Sequence, residues 1–236
     1  MKKTLLAVAA TLAASAFPTV ASAQLSFNVG ATTDYRYRGV SQSRLKPAVS
    51  AGADYAAGAF YVGAWASSIK WVKDGGGDGN MELDLYGGYK GELAKDVGFD
   101  VGILAYVYPG NDLPTSANTT ELYGAITFGP ATLKYSHSVT NLFGFADSKN
   151  SGYLDLTATF PVGPVSVTPH IGYQKVRGTG NDPFSYTDYS LTVGYEAMPG
   201  LTLTAAVVGT DNKQYVSPAG KNLGKSALVL GVKYGF

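Results

Sequence analysis

The chain has 236 residues, with 18 Lys and Arg against 17 Asp and Glu, and it contains no cysteine. This balance argues against nucleic acid as a partner, and the lack of cysteine excludes a disulfide framework or a thiolate metal site. Charged residues make up 15% and mean hydropathy is +0.03. Soluble domains carry about 25% charged residues, and no run of about 20 apolar residues offers a membrane helix. Near-zero hydropathy is typical of a transmembrane β-barrel, whose strands alternate lipid-facing apolar and lumen-facing polar residues.

The N-terminus predicts a cleaved signal peptide over residues 1–23. Two lysines precede an apolar run over 5–14, and an A-x-A sequence at 21–23 supplies the cleavage site. The run is too short to cross about 30 Å of hydrocarbon as a helix, which argues against a retained anchor. Cleavage lowers the basic count from 18 to 16 against 17 acidic residues, so the mature chain is formally about −1. Residues 24–236 are predicted to form one domain.

The mature chain shows repeated segments with a period of two residues. In the last segment Leu228, Leu230 and Val232 share one face, and Lys233 lies on the other. We predict strands at 25–37, 46–56, 59–68, 81–90, 97–108, 119–128, 131–140, 152–160, 164–175, 186–196, 200–209 and 226–236.

Short and long connections alternate between these strands, as in barrels with short periplasmic turns and long extracellular loops. The sequence therefore predicts an all-β, antiparallel, up-and-down transmembrane barrel of about 12 strands. Ten or fourteen strands stay open as alternatives, because two alternating segments could be misread.

Aromatic residues cluster near both ends of the predicted strands, which predicts a girdle at each headgroup level. The short-turn girdle is predicted to hold Tyr55, Phe60, Tyr89, Phe128, Phe160, Tyr195 and Phe236. The long-loop girdle is predicted to hold Tyr35, Tyr37, Tyr106, Tyr108, Tyr135, Tyr153, Tyr173 and Tyr189.

The C-terminal stretch from Leu228 to Phe236 resembles the assembly signal of outer-membrane proteins, which ends in Phe after alternating apolar positions. The resemblance implies that the barrel-assembly machinery reads Tyr234 and Phe236.

A second resemblance covers residues 27–68. The matching segments are Asn28-Val29-Gly30, Asp34-Tyr35-Arg36-Tyr37-Arg38-Gly39-Val40-Ser41-Gln42-Ser43, Lys46-Pro47-Ala48, Asp54-Tyr55, Phe60-Tyr61-Val62-Gly63 and Trp65-Ala66-Ser67-Ser68. They are similar to the opening of the TorF family of predicted porins, a proteobacterial outer-membrane barrel family of poorly defined function. A Ser-Asn pair is usual in that family where this chain has Ser67-Ser68. The resemblance implies a porin of the bacterial outer membrane and no particular solute.

Charged side chains are costly against lipid, so those on the polar strand faces should point into the lumen. The pore-lining candidates are Asp34, Arg36, Arg38, Asp54, Glu82, Asp84, Asp100, Glu121, Lys134, Asp155, His170 and Lys233. Because acidic positions outnumber basic ones, we predict a weak cation preference. The Arg36-x-Arg38 pair at the outer end of the first strand has two interpretations: pairing with nearby carboxylates, or holding an anionic solute.

Eight strands are already filled by side chains, so about twelve should leave space inside. We therefore predict an outer-membrane porin for passive diffusion of small hydrophilic solutes or ions, with no cofactor and no metal. One alternative is a structural or adhesion-type barrel with a filled lumen and functional loops. A second is a barrel enzyme, although the His-x-Ser arrangement of outer-membrane acyl hydrolases is missing, since His137 and Ser138 are adjacent and Gly172 follows His170 by two. The oligomeric state stays open.

Overall fold

The computed structural model describes residues 23–236. The predicted signal peptide, except for Ala23, lies outside the described residues. Two short helical segments occur among the described residues, α1 (Trp71–Asp74) and a 3₁₀ turn at Asp182–Phe184. No helix in this part of the chain is long and apolar enough to cross a membrane.

A closed antiparallel barrel contains most of the chain. Its strands are β1 (Gln24–Thr32), β4 (Ala48–Ala57), β5 (Phe60–Ser68), β6 (Met81–Ala94), β7 (Val97–Val107), β8 (Thr119–Phe128), β9 (Ala131–Ser138), β10 (Gly152–Ala158), β11 (Phe160–Val162), β12 (Val165–Lys175), β13 (Tyr186–Met198), β14 (Leu201–Thr210) and β15 (Ala227–Gly235). A separate small hairpin pairs β2 (Arg36–Tyr37) with β3 (Val40–Ser41).

Each barrel strand pairs with its neighbours in the sequence, and β1 pairs with β15 from Asn28↔Gly235 to Thr32↔Gly231. Strands β10 and β11 are two parts of one strand interrupted at Thr159, because both pair with β12. The barrel therefore has 12 strands, and the predicted fold class and strand count are confirmed. Closure leaves no open sheet edge, which a bilayer would penalise because unpaired backbone groups there have no water.

The outer face of the barrel is apolar on every side. Large aliphatic side chains more than 40% exposed include Leu25, Val62, Leu85, Val101, Leu122, Leu133, Leu156, Leu191, Leu203 and Leu230. They alternate with partly exposed or buried polar residues that point inward. An exposed apolar band of this extent fits a lipid-facing surface.

Short turns and long loops alternate as predicted. The turn between β4 and β5 consists of Gly58 and Ala59, and that between β8 and β9 of Gly129 and Pro130. Gly58 and Gly129 have φ of +62° and +54°, which two-residue hairpin turns favour.

The predicted first strand, 25–37, is too long. Strand β1 ends at Thr32, after which the chain turns into the barrel and returns to the wall at Ala48. We call residues 33–47 the plug. Its β2–β3 hairpin turns at Arg38 and Gly39, with φ of +45° and +78°.

The predicted long-loop girdle is partly wrong. Tyr135, Tyr173 and Tyr189 are outward and 41–48% exposed. Tyr106, Tyr108 and Tyr153 face inward and are 3–6% exposed, while Tyr35 and Tyr37 belong to the plug. Position along a strand sets a residue's height, but whether it faces lipid depends on the parity of its position. The seven predicted residues of the short-turn girdle are all exposed.

Candidate functional site

The lumen has two halves that differ in solvent exposure. In the half near the long loops, Glu82, Glu121 and Asp188 are each 1% exposed. In the half near the short turns, inward residues such as Asn28 and Lys233 are partly exposed. Solvent therefore reaches the lumen from the short-turn end, and the plug excludes it from the long-loop half.

Arg38 fixes the tip of the plug to the far wall of the barrel. Its Nη1 donates to Gln174 Oε1 at 2.6 Å and to Glu121 Oε1 at 3.0 Å, and its Nη2 donates to Glu121 Oε2 at 2.7 Å. The guanidinium carbon also lies 4.1 Å from the ring centre of Tyr153. Burial disfavours the charge, but Glu121 more than offsets it, so the pKa of Arg38 is well above its usual value. The plug thus spans the lumen from β1 to β8, β10 and β12.

Arg36 fixes the base of the plug. Its Nε donates to Asp34 Oδ2 at 2.5 Å, and its Nη1 donates to the carbonyls of Gly39 at 2.9 Å, Leu223 at 2.9 Å and Lys225 at 3.1 Å. These partners belong to the plug itself and to the last long loop. The second terminal nitrogen of Arg36, Nη2, is buried and has no hydrogen-bond partner among the described residues.

Two tyrosines of the plug bind the barrel wall on its other side. Tyr35 donates to Glu82 Oε1 at 2.5 Å, and the hydroxyls of Tyr37 and Tyr106 lie 2.5 Å apart. Burial raises the pKa of Tyr35 and of Tyr37 well above the usual value, so both hydroxyls keep their protons. An apolar cluster covers this side of the plug. Its members are Ile69, Val72, Tyr106, Tyr108 and Ala117.

Asp84 lies two positions along β6 from Glu82, on the same inward face. Its Oδ1 is buried and has no hydrogen-bond partner among the described residues. Beneath the plug, the wall therefore carries a buried carboxyl group with one oxygen that the described residues leave without a hydrogen-bond partner.

The short-turn half has one wall of large aromatic side chains. Directly paired positions place Tyr61 opposite Gly88 and Tyr123 opposite Gly102, so each ring lies across a neighbour that has no side chain. Tyr61 donates to Asp100 at 2.6 Å and its hydroxyl contacts that of Tyr123. Trp65 opposite Gly52 and Tyr86 opposite Gly63 repeat the pattern.

The opposite wall is lined by small side chains. Its inward residues on β14, β15, β1 and β4 include Thr204, Gly231, Asn28, Gly30, Ser50 and Gly52. Lys233 on β15 and Asp54 on β4 also point inward from this wall.

Two lumen charges in the short-turn half are held by aromatic groups rather than by each other. Asp100 accepts from Tyr61, and the ammonium nitrogen of Lys134 lies 3.9 Å from the ring centre of Tyr123. Lys90 on β6 pairs directly with Asp100, and its ammonium nitrogen lies 5.5 Å from the ring centre of Tyr61. Asp100 and Lys134 therefore lie on the inward wall beside the Tyr61–Tyr123 pair.

A family model described as "Bacterial protein of unknown function (Gcw_chp)" matches residues 16–236. The chain belongs to the Gcw_chp family. No curated protein matches its sequence.

Several solved structures share the fold of this Gcw_chp barrel. The KdgM porin superposes with a TM-score of 0.60 at 9% identity, covering 89% of this chain and 99% of that one. The KdgM porin in complex with disordered oligogalacturonate superposes with a TM-score of 0.58 at 8% sequence identity, covering 91% of this chain and 99% of that one. The COG4313 outer membrane channel from Pseudomonas putida F1 superposes with a TM-score of 0.53 at 14% sequence identity, covering 93% of this chain and 96% of that one. The fold is therefore that of outer-membrane porins and channels.

Nine of the twelve residues predicted to line the pore lie on inward strand faces of the Gcw_chp barrel. They are Asp54, Glu82, Asp84, Asp100, Glu121, Lys134, Asp155, His170 and Lys233. The placement of Asp34, Arg36 and Arg38 on the first strand is wrong, because these residues belong to the plug. They are inside the barrel but bind the protein itself.

His170 and Asp155 belong to a network that also contains Asp188. The His170 ring lies 2.8 Å from Asp188 Oδ1 and 3.2 Å from Asp155 Oδ2, and Tyr153 donates to Asp188 Oδ2 at 2.9 Å. Sequence reasoning missed Asp188, although it shares the inward parity of Ser190 on β13. No group of three or more acidic or histidine side chains in residues 23–236 is arranged to hold a metal.

Proposed function

We propose that the protein is a channel of the bacterial outer membrane that passes small hydrophilic solutes and ions by diffusion, with a modest preference for cations. Membership of the TorF family, which the resemblance at residues 27–68 implies, is part of this proposal. The barrel-assembly machinery would insert the chain by reading its C-terminal strand.

The observation that carries the proposal is the contrast between the plug and the wall. The β2–β3 hairpin of the plug forms a strand ladder only with itself. Backbone hydrogen bonds link Thr33 to Leu230, Ser41 to Leu223 and Gln42 to Lys70, and side chains such as those of Arg38 and Tyr35 hold the plug across the lumen. A segment held in this way can move without breaking the barrel, whereas the wall cannot. The solvated short-turn half then forms the inner vestibule of a channel whose outer mouth the plug narrows.

The charges of the lumen support the cation preference. Acidic residues outnumber basic ones on the inward strand faces: Asp54, Glu82, Asp84, Asp100, Glu121, Asp155 and Asp188 against Lys90, Lys134, His170 and Lys233. Carboxylate side chains that line a pore attract cations and repel anions. The similar KdgM barrel was solved with oligogalacturonate, an anionic sugar, which agrees with passage of hydrophilic molecules and does not bear on the cation preference.

Single-channel recording in a planar bilayer tests the proposal. The purified, folded protein should give stepwise currents in potassium chloride, with a reversal potential in a salt gradient that indicates cations. The proposal would be overturned if neither the intact protein nor a variant without the plug gave any channel current.

The same structure favours one second candidate, a closed structural barrel. Arg38 makes buried contacts with Glu121, Gln174 and Tyr153. These contacts fit a plug that fills the lumen permanently as well as one that narrows an open channel. In that case the long loops would carry the function, and the barrel without its plug would give no channel current.

A further inference from the structure

The outer face of the barrel has a notch at the long-loop end of β9, β10 and β12. Leu154 pairs with Tyr135 on one side and Tyr173 on the other, and Gly152 lies two positions further toward the loops. The Tyr135 ring lies over Gly152, where a Cβ would be 2.5 Å from the tyrosine hydroxyl. Beside it a cavity of about 90 Å³ is lined by Tyr135, Gly152, Leu154 and Tyr173 together with Asn150, Lys175 and Arg177. This is well over the roughly 10–15 Å³ that one water needs, so a larger polar group can enter.

Two cations form the rim of the notch. Lys175 is the last residue of β12 and pairs with Gly152 of the neighbouring strand β10. Arg177 follows in the loop after β12. The Nε of Arg177 donates to the carbonyl of Asn150 at 3.2 Å, which holds the guanidinium at the rim. Lys175 contacts Asp182, but that carboxylate is 80% exposed. Exposed pairs of this kind contribute little, so another anion can displace Asp182.

The level of the notch on the barrel identifies the kind of anion. Tyr135 and Tyr173 are outward rings at the end of the apolar band, where aromatic side chains mark the headgroup region. Below them Leu154, Leu156 and Ile171 are 46–52% exposed and offer a surface for acyl chains. The long-loop end of a bacterial barrel faces outward. A ligand that fills the notch and continues along this surface has a charged head and apolar tails.

We propose that this notch binds the phosphate group of a lipid headgroup in the outer leaflet. Lys175 and Arg177 bind the phosphate, the two tyrosines flank the sugar or glycerol part, and Leu154 contacts the first acyl segment. Arginine matches phosphate geometry with two parallel donors, which suits it to this position. The proposal does not depend on conductance through the lumen, so it can be tested independently of the channel proposal.

The test compares lipid binding by the folded full-length barrel in detergent, measured by native mass spectrometry. The probes are bisphosphorylated lipid A and the same lipid after removal of its phosphates. Wild-type protein should hold the phosphorylated lipid at least tenfold more tightly than the dephosphorylated one. The double variant Lys175→Met/Arg177→Gln should lose that difference.

Lys213→Met/Lys221→Met is the matched control, because it removes two exposed cations from the last long loop. This control should bind like the wild type, and the folded state of every variant is checked by its heat-dependent migration in a gel. Equal binding of the two lipids would overturn the proposal, as would an equal loss in the control. Displacement of the lipid by millimolar inorganic phosphate would also overturn it, since it would indicate a site for free anions.

Discussion

The guanidinium of Arg38 and the carboxylate of Glu121 form a two-pronged ion pair inside the barrel, with N–O distances of 2.7 and 3.0 Å. Arg38 belongs to the plug and Glu121 to β8, and their side chains are 6% and 2% exposed. The pair is therefore the main polar link between the loop that fills the lumen and the wall it reaches.

Replacing Arg38 with Met should destabilise the folded barrel by about 3–5 kcal/mol, because Glu121 would keep a buried charge with no partner. The midpoint of urea unfolding in micelles measures this change. The double variant Arg38→Met/Glu121→Gln removes both charges and should recover most of the loss. If the single and double variants unfold at the same urea concentration, the buried charge of Glu121 is not the cause.

Removal of the plug should open the lumen. Thr32 and Ala48 are paired neighbours on β1 and β4, so an Asn-Gly turn in place of residues 33–47 can join them without changing the register. The shortened protein should conduct several-fold more current per channel than the wild type in a planar bilayer. The control is Arg44→Gln, which keeps the full length of the plug. The Arg44 side chain is 43% exposed and binds Asp74 of α1, so this variant should conduct like the wild type. A shortened barrel that folds and stays silent would favour the filled structural barrel.

The sequence was sufficient to predict the barrel and its strand count, because backbone pairing in lipid imposes alternation on every strand. It did not predict the plug. Alternation continues past Thr32 through Asp34 and Arg36, so periodicity alone extends β1 to residue 37. The Arg38-Gly39 turn was an available signal, but the path of the loop is set by partners 83 and 136 residues away. Pattern reasoning has no access to such contacts.

Gly102 should tolerate no side chain. A Cβ at this position would lie 2.5 Å from the Tyr123 hydroxyl and 2.6 Å from the carbonyl oxygen of Gly87. Gly102→Ala should therefore cost about 1–3 kcal/mol through overpacking, seen as a lower unfolding midpoint. Gly98→Ala on the same strand is the control, since its nearest atom is 3.7 Å away. Similar midpoints for the two variants would contradict this account of the aromatic wall.

The ion preference of the channel should depend on Asp100 and Lys134, because both are partly exposed on the inward wall of the short-turn half and contact the Tyr61–Tyr123 pair. Asp100→Asn removes a negative charge from the wall and should move the reversal potential toward less cation preference. Lys134→Met removes a positive charge and should move it the opposite way. Both are measured in the plug-free barrel in a potassium chloride gradient.

The controls for this pair are Asp147→Asn and Lys149→Met, which make the same charge changes on an exposed long loop. Screening over about 8–10 Å at physiological salt should leave their effect small, whereas charges on the lumen wall act directly on the ion. Shifts of the same sign for Asp100→Asn and Lys134→Met, or equal shifts in the loop controls, would mean that ions do not pass this wall. Opposite shifts confined to the two lumen variants would place the ion path beside the Tyr61–Tyr123 pair, because Asp100 and Lys134 are held by these two tyrosines.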